Sequence, residues 1–311
     1  MPRHLKLLGT VMCLFMMVGF CQAQSTNATI TGSITDQSGG ILPGATVEIT
    51  NAGTGVVNIA KTNDAGIYRV GGLVPGDYRA RIVKEGFKAV VKEGITLHVQ
   101  DQVSINFILE VGSVTENVTV EAGQPLLQTE STDLSQVVEG RTVAETPLNG
   151  RNVLNLVTLV PGVVAQGGTA GNPTSNSPNG WGNYQIGGGM ANQSSSYLDG
   201  APINVSYVNL TALMPSQDSI QEFRVATNNV SPQYGRFAGG VVNFSTKSGT
   251  NEFHGSAFEY IRNNVLNANN FFNNRTGLPR PEFTQNQFGT TVGGPIKRDK
   301  IFGFFSWEGY Q

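Results

Sequence analysis

Residues able to do covalent, redox or metal chemistry are scarce in this sequence. Among 311 residues there are two cysteines, Cys13 and Cys21, and three histidines, His4, His98 and His254. A zinc hydrolase of the His-Glu-x-x-His type needs two imidazoles one helical turn apart, and no such run occurs. Thr246-Lys247-Ser248 looks like the end of a phosphate loop. That loop needs glycine before the lysine so that the backbone can wrap the phosphate, and the position holds Thr246. Gly187-Gly188-Gly189 lacks the third, spaced glycine of a dinucleotide site, and no Gly-x-Ser-x-Gly elbow is present. Asp199 could be imagined as a catalytic acid or metal ligand, but it has no partner nearby, and Asp-Gly is explained by turn chemistry. These residues encode no enzyme, no metal site and no cofactor, and His98 is expected to be an ordinary surface strand residue.

Composition narrows the class further. Charged residues make up 14% of the chain, against about 25% in an average soluble protein. Glycine is abundant, with 39 residues, and hydrophobic residues reach 39%, too many for a disordered chain. A net charge of -2 gives nucleic acid no basic footprint to bind. Past the N-terminus there is no stretch of about 20 apolar residues, which excludes a helical membrane protein. The start is an address. Arg3, His4 and Lys6 precede the 14-residue apolar run Leu7–Phe20, and Cys21-Gln22-Ala23 follows. We expect a signal peptide over residues 1–23, cleaved after Ala23; a lipid anchor on Cys21 is the weaker option, since bulky Phe20 precedes it. Both cysteines leave with the signal. Loss of Arg3 and Lys6 then takes the net charge from -2 to -4.

Residues 24–112 show no helical period. Ala28–Asp36 alternates, with Ile30, Gly32 and Ile34 on one face, and Val47 and Ile49 mark a second strand. Asn63–Gly66 is expected to be a hairpin loop between Ile59 and Tyr68, and Pro75-Gly76-Asp77 a turn before Tyr78, Ala80 and Ile82. Val103, Ile105, Phe107 and Leu109 alternate in a last strand. Seven or eight short strands with turn signals between them are the signature of a β-sandwich. The segments Gly32–Asp36, Pro43–Val47, Gly66–Val70 and Gly72–Tyr78 resemble the carboxypeptidase regulatory-like domain. That resemblance implies a prealbumin-like, carbohydrate-binding-like sandwich with no peptidase site.

Residues 113–123 are expected to be a linker holding an alternating segment. Pattern alone also fits one more sandwich strand. Glu116-Asn117-Val118-Thr119-Val120-Glu121-Ala122 resembles the TonB box of outer-membrane TonB-dependent receptors, although Glu121 stands where threonine is commoner. The resemblance implies that these residues add as a strand to a sheet edge of TonB, the periplasmic energy-coupling partner.

Residues 124–250 are expected to form a plug. Asp133–Gly140 has helix-like spacing, which Arg141–Glu145 continues toward the stop at Pro147. A second helix is expected at Val153–Leu159, then a long loop over Gln166–Gly189. Pro147–Asn152, Leu198-Asp199-Gly200, Gln221-Glu222-Phe223 and the run from Tyr234 to Gly255 resemble the plug of TonB-dependent receptors of the Oar-like subgroup. In residues 251–311, Phe253–Arg262, Phe283–Gly294 and Ile301–Tyr310 have the length of tilted membrane strands, with aromatic residues for interface girdles. Pattern alone also fits a soluble meander. Asn286–Gly289, Gly293-Gly294-Pro295 and Trp307–Tyr310 resemble the start of the same subgroup's barrel. Three strands cannot close a barrel, since about 8 are the minimum, so the sequence is expected to be an N-terminal fragment.

Taken together, a mainly β chain is expected: sandwich, α+β plug, and first strands of an incomplete transmembrane barrel. The resemblance implies a transporter in the outer membrane of a Gram-negative bacterium, with its N-terminal domains periplasmic. Its partners would be TonB, membrane lipid and an unidentified extracellular solute, a carbohydrate being one candidate. A surface adhesin or carbohydrate-binding protein is the alternative.

Overall fold

The computed structural model describes residues 27–113, 117–121, 131–148, 151–165, 184–190, 193–205, 209, 211, 213–234 and 237–311. The expected signal peptide, Glu116, Ala122 and most of the stretch from Gln166 lie outside these residues. The first strands are β1 (Ala28–Asp36), β2 (Thr46–Asn51), β3 (Val57–Lys61), β4 (Ile67–Leu73), β5 (Gly76–Val83), β6 (Ala89–Leu97), β7 (Gln102–Ser104), β8 (Phe107–Leu109) and β9 (Asn117–Glu121). One sheet orders β4-β1-β7, with β8 also on β1; the other orders β3-β2-β5-β6-β9.

Alternation places Ala28, Ile30 and Ile34 of β1, Val47 and Ile49 of β2, and Tyr78, Ala80 and Ile82 of β5 in one dry core. Tyr68 lies in that core and donates its hydroxyl to the Ile105 carbonyl at 2.8 Å. Burial pushes its phenol pKa up. Two local expectations are corrected. Asn63–Gly66 is a crossover between sheets, not a hairpin loop, because β3 pairs with β2 and β4 with β1. Asn63 Oδ1 fixes that turn by accepting the Ala65 and Ile67 amides at 3.1 and 2.9 Å. The run 103–109 is two strands, each parallel to β1. It breaks where Asn106 turns its side-chain oxygen onto the Ser33 amide, 2.8 Å away.

The second unit holds β10 (Leu134–Val138), a helix at Gly140–Glu145, a 3-10 helix at Val153–Leu159, and β11 (Val163–Ala165). After these come β12 (Tyr184–Ile186), β13 (Ser195–Leu198), β14 (Ala201–Pro202), β15 (Ile220–Asn228) and β16 (Val241–Thr246). The main sheet orders β10-β15-β16-β13-β14. Helix-like spacing misleads over Asp133–Val138, which is a strand antiparallel to β15. Sheet pairing overrides the local pattern there, and the helix starts only at Gly140. A side chain at Gly140 would collide with the Gln221 carbonyl. The helix's last turn is satisfied by Gln217, whose Nε2 donates to the Val143 and Thr146 carbonyls at 2.6 and 3.0 Å. Asp199 has a left-handed φ of 48°. Its carboxylate accepts from the Thr246 amide at 2.9 Å and hydroxyl at 2.7 Å, a structural use that accounts for Leu-Asp-Gly.

The third unit is an antiparallel meander of β17 (His254–Asn263), β18 (Thr284–Lys297) and β19 (Ile301–Tyr310). The asparagine-rich stretch between the first two contains helical turns at Asn264–Leu266 and Phe271–Thr276. Asn263 and Asn270 cap them, each side chain accepting an amide proton from two residues on. Cross-strand register sorts the meander into two faces. Gly255–Val292–Phe305, Ala257–Thr290–Trp307 and Glu259–Phe288–Gly309 share one face; His254–Gly293–Phe304, Ser256–Thr291–Ser306 and Phe258–Gly289–Glu308 share the other. Val292, Phe305, Trp307 and Phe288 of the first face are exposed, as are Ile296 and Ile301.

Gly32 marks the tightest point of the sandwich, since an added methyl would overlap the Ile105 carbonyl and the Tyr68 ring. Gly32→Ala is expected to lower stability by about 1–3 kcal/mol through overpacking. Urea denaturation should show a lower midpoint with an unchanged slope.

Candidate functional site

Of the segment expected to meet a partner, Glu116–Ala122, the described residues Asn117–Glu121 form the last strand of their sheet. It runs parallel to β6, with Ala89 opposite Asn117, Val90 opposite Val118, Val91 opposite Thr119, Lys92 opposite Val120 and Glu93 opposite Glu121. The stretch expected as a linker therefore holds a strand that extends the sandwich. The described residues before it, up to Gly112, are bonded onto the sandwich. The Lys88 amide donates to the Glu110 carbonyl at 2.8 Å, and the Gly112 amide to the Gly86 carbonyl at 3.1 Å. Phe87 and Val111 form an antiparallel bridge. Lys88 Nζ also lies 3.7 Å from the Glu110 carboxylate.

The other end of β6 runs into a turn, His98–Asp101, that is bolted to the second unit. Gln100 is left-handed, φ 59°, and Asp101 closes the turn by accepting the His98 amide at 2.8 Å. Two side chains of β15 then hold it. Glu222 accepts the Val99 amide and lies 2.8 Å from His98 Nδ1. Arg224 donates Nε to the Val99 carbonyl at 2.7 Å and a terminal nitrogen to Ser135 Oγ at 3.0 Å. Its other terminal nitrogen pairs with Asp101, and both side chains are only 6% exposed. Gln100 reaches further, donating to the Tyr234 hydroxyl and accepting from Asn243 Nδ2 of β16 at 2.7 Å.

These groups carry the electrostatics of the interface. The hydrogen bond to Glu222 raises the His98 pKa; burial opposes that shift, and Asp101 and Glu139 add to it. Burial lowers the Arg224 pKa, and Asp101 and Glu222 pull it back. His98 is thus not the surface strand residue expected, but half-buried between sandwich and plug. Glu222 and Arg224 carried a readable signal. They stand two apart, hence on one face, in a strand whose other inner positions are apolar.

Two more junctions tie the units together. Asn251 donates Nδ2 to the Thr54 carbonyl at 2.7 Å and lies within 2.8 Å of the Asp299 carboxylate, while its own Oδ1 accepts the Asp299 amide at 2.9 Å. One amide side chain therefore joins a sandwich turn to the β18–β19 turn. Arg151, at a left-handed φ of 53°, pairs with Asp218 at 2.5 Å and approaches Glu308 of β19 at 3.4 Å. Its guanidinium stacks over Phe258 at 4.0 Å and Tyr260 at 5.0 Å of β17. Phe258 and Glu308 belong to the second face of the meander, so that face meets the plug and the exposed apolar one points away. Among the described residues no cluster of three or more His, Cys, Asp or Glu could hold a metal.

Comparison with known proteins adds the family context. The outer membrane beta barrel domain model matches residues 245–311, and the carboxypeptidase regulatory-like domain model matches residues 29–110. The TonB-dependent transporter Oar of Myxococcus xanthus is 28% identical over 316 residues, which cover 97% of this chain and 28% of that protein. This chain therefore spans about 28% of the length of the curated relative it matches. Among solved structures, the siderophore receptor PirA from Acinetobacter baumannii is 26% identical, with a TM-score of 0.39, over 57% of this chain and 24% of that one. The Bacillus anthracis TIE protein, 20% identical with a TM-score of 0.25, covers 28% of this chain and 17% of its own. The chain is mainly β, carries a carboxypeptidase regulatory-like sandwich and an outer-membrane barrel segment, and is a protein of the Gram-negative outer membrane.

Two outcomes test the interface. Asp101→Asn strands a buried guanidinium, and removing one partner of such a pair costs about 3–5 kcal/mol; chemical denaturation of the purified chain should show a loss near that range. His98 has a folded pKa above its unfolded value, so the stability it supplies is complete below about pH 6.5 and fades as pH rises through the folded value. Thermal midpoints measured from pH 5.5 to 8.5 should fall with pH, and His98→Gln should flatten that slope.

Proposed function

We propose that this outer-membrane chain, similar along nearly its whole length to a TonB-dependent transporter, imports a solute with energy relayed through TonB. The coupling segment is Glu116–Ala122. The observation that carries this reading is its place: a segment resembling the TonB box forms the terminal strand of the sandwich sheet, directly before the plug. β-Augmentation suits such a segment, because backbone hydrogen bonds supply affinity and tolerate loose sequence.

In this reading the sandwich and plug face the periplasm and the barrel lumen, and the meander's apolar face meets lipid. The relative matched along nearly the whole chain is a transporter, and we assign no catalytic role.

Val118 lies at the second position of β9, opposite Val90. In cells carrying the full gene, Val118→Pro should abolish energised uptake while leaving solute binding at the surface intact. Proline deletes a ladder N–H and fixes φ. Because β9 is a terminal strand, β3-β2-β5-β6 stay paired and protein abundance should hold by immunoblot. Val118→Ala keeps the N–H and should retain most uptake. Normal uptake by the proline variant at normal abundance would sink the assignment.

A further inference from the structure

The coupling strand already has a sheet partner within the chain. The carboxypeptidase regulatory-like match ends at residue 110, so β9 is an addition to that domain's own strands. Its pairing with β6 is parallel and spans all five residues, Asn117 to Glu121. A β-strand has two edges. One edge of β9 is used on β6, and among the described residues the other has no neighbour, since the sheet order ends at β9.

Among the described residues that edge carries none of the proline, lysine or bulges by which proteins often blunt exposed edges. Asn117-Val118-Thr119-Val120-Glu121 contains neither residue, and its register with β6 runs without a shift. Its residues are strand formers at three consecutive positions, Val118, Thr119 and Val120. Ordering a free segment into a strand costs conformational entropy, and β9 has met that cost on its own sheet.

We infer that the partner's sheet adds to the outer edge of β9 while β9 stays paired with β6, so that one sheet runs from the sandwich through the coupling strand into the partner. The inference rests on the assignment of residues 116–122 as the TonB-binding segment. It adds that the sandwich is a member of the complex and not a bystander. The strand gripped by the partner is then laterally bonded to β6, and β6 leads within one residue into the turn held by Glu222 and Arg224. A pull on β9 reaches β15 of the plug by this route as well as along the chain through residues 122–133.

A lateral lock tests the idea. In a background of Cys13→Ser and Cys21→Ser, the pair Val91→Cys and Thr119→Cys places two thiols on opposed residues of β6 and β9. The probe is the soluble periplasmic domain of the cognate TonB, titrated against the purified full chain in detergent. Dissociation constants for the oxidised and reduced forms should agree within about twofold. A loss of about tenfold or more on oxidation, recovered on reduction, would show that β9 must leave β6 and would overturn the inference. If neither form binds and Val118→Pro matches the unsubstituted chain, the coupling assignment itself falls and the inference with it. Amide exchange in the chain without the added cysteines gives a readout independent of the lock. Protection across Ala89–Leu97 should hold or rise when the partner binds; faster exchange there would mean that β9 has departed.

Discussion

The Arg224–Asp101 pair is buried on both sides, and the arrangement of the first two units depends on it. A guanidinium taken out of water is costly unless its charge and all of its donors are met. Here its charge is met by Asp101, and its donors reach the Val99 carbonyl of the sandwich and Ser135 of β10. Neither unit alone can satisfy that side chain. Glu222, two residues before it, has the same problem with the opposite sign and is met by the Val99 amide and His98. The two charges thus make the short turn His98–Asp101 a specific socket, where an apolar contact would allow sliding.

This polar docking sits beside ordinary packing and does not replace it. The sandwich core and the plug core are separate apolar clusters, one around Ile30, Ile49 and Tyr68, the other around Leu154, Phe223 and Phe244. Each can exclude water by itself. The contact between them is built from hydrogen bonds and charges, which fix geometry more than they add adhesion. Plug and meander meet in the same manner through Arg151, Asp218 and Glu308. Units joined by directional contacts can keep a defined orientation and still separate at a junction without losing either core.

The sequence revealed those elements whose signal is local. The limits of β1 and β19 follow from alternation, and the helix at Gly140–Glu145 from its stop at Pro147. It misled where a neighbour decides. Leu134–Val138 has helical spacing, yet β15 offers it a ladder. Asn63–Gly66 looks like a hairpin loop, yet its flanking strands are recruited by β1 and β2. His98 looked bland because its partner is 124 positions away. The segment Asn117–Glu121 was legible as an alternating strand, but nothing in its own residues names β6 as the neighbour. Parallel pairing across an intervening crossover leaves no turn signal.

The length of β18 has a consequence for what surrounds it. It spans 14 residues, Thr284–Lys297, roughly 43 Å at about 3.3 Å per step. Tilted by about 45°, it rises roughly 30 Å along the membrane normal, against an apolar band about 25 Å tall. Its exposed apolar residues begin at Phe288 and run to Ile296. The polar end, Thr284–Gln287, extends past that apolar run as a short stiff mast. The asparagine-capped segment between β17 and β18 hangs from that mast, carried away from the apolar run on the strand's polar end.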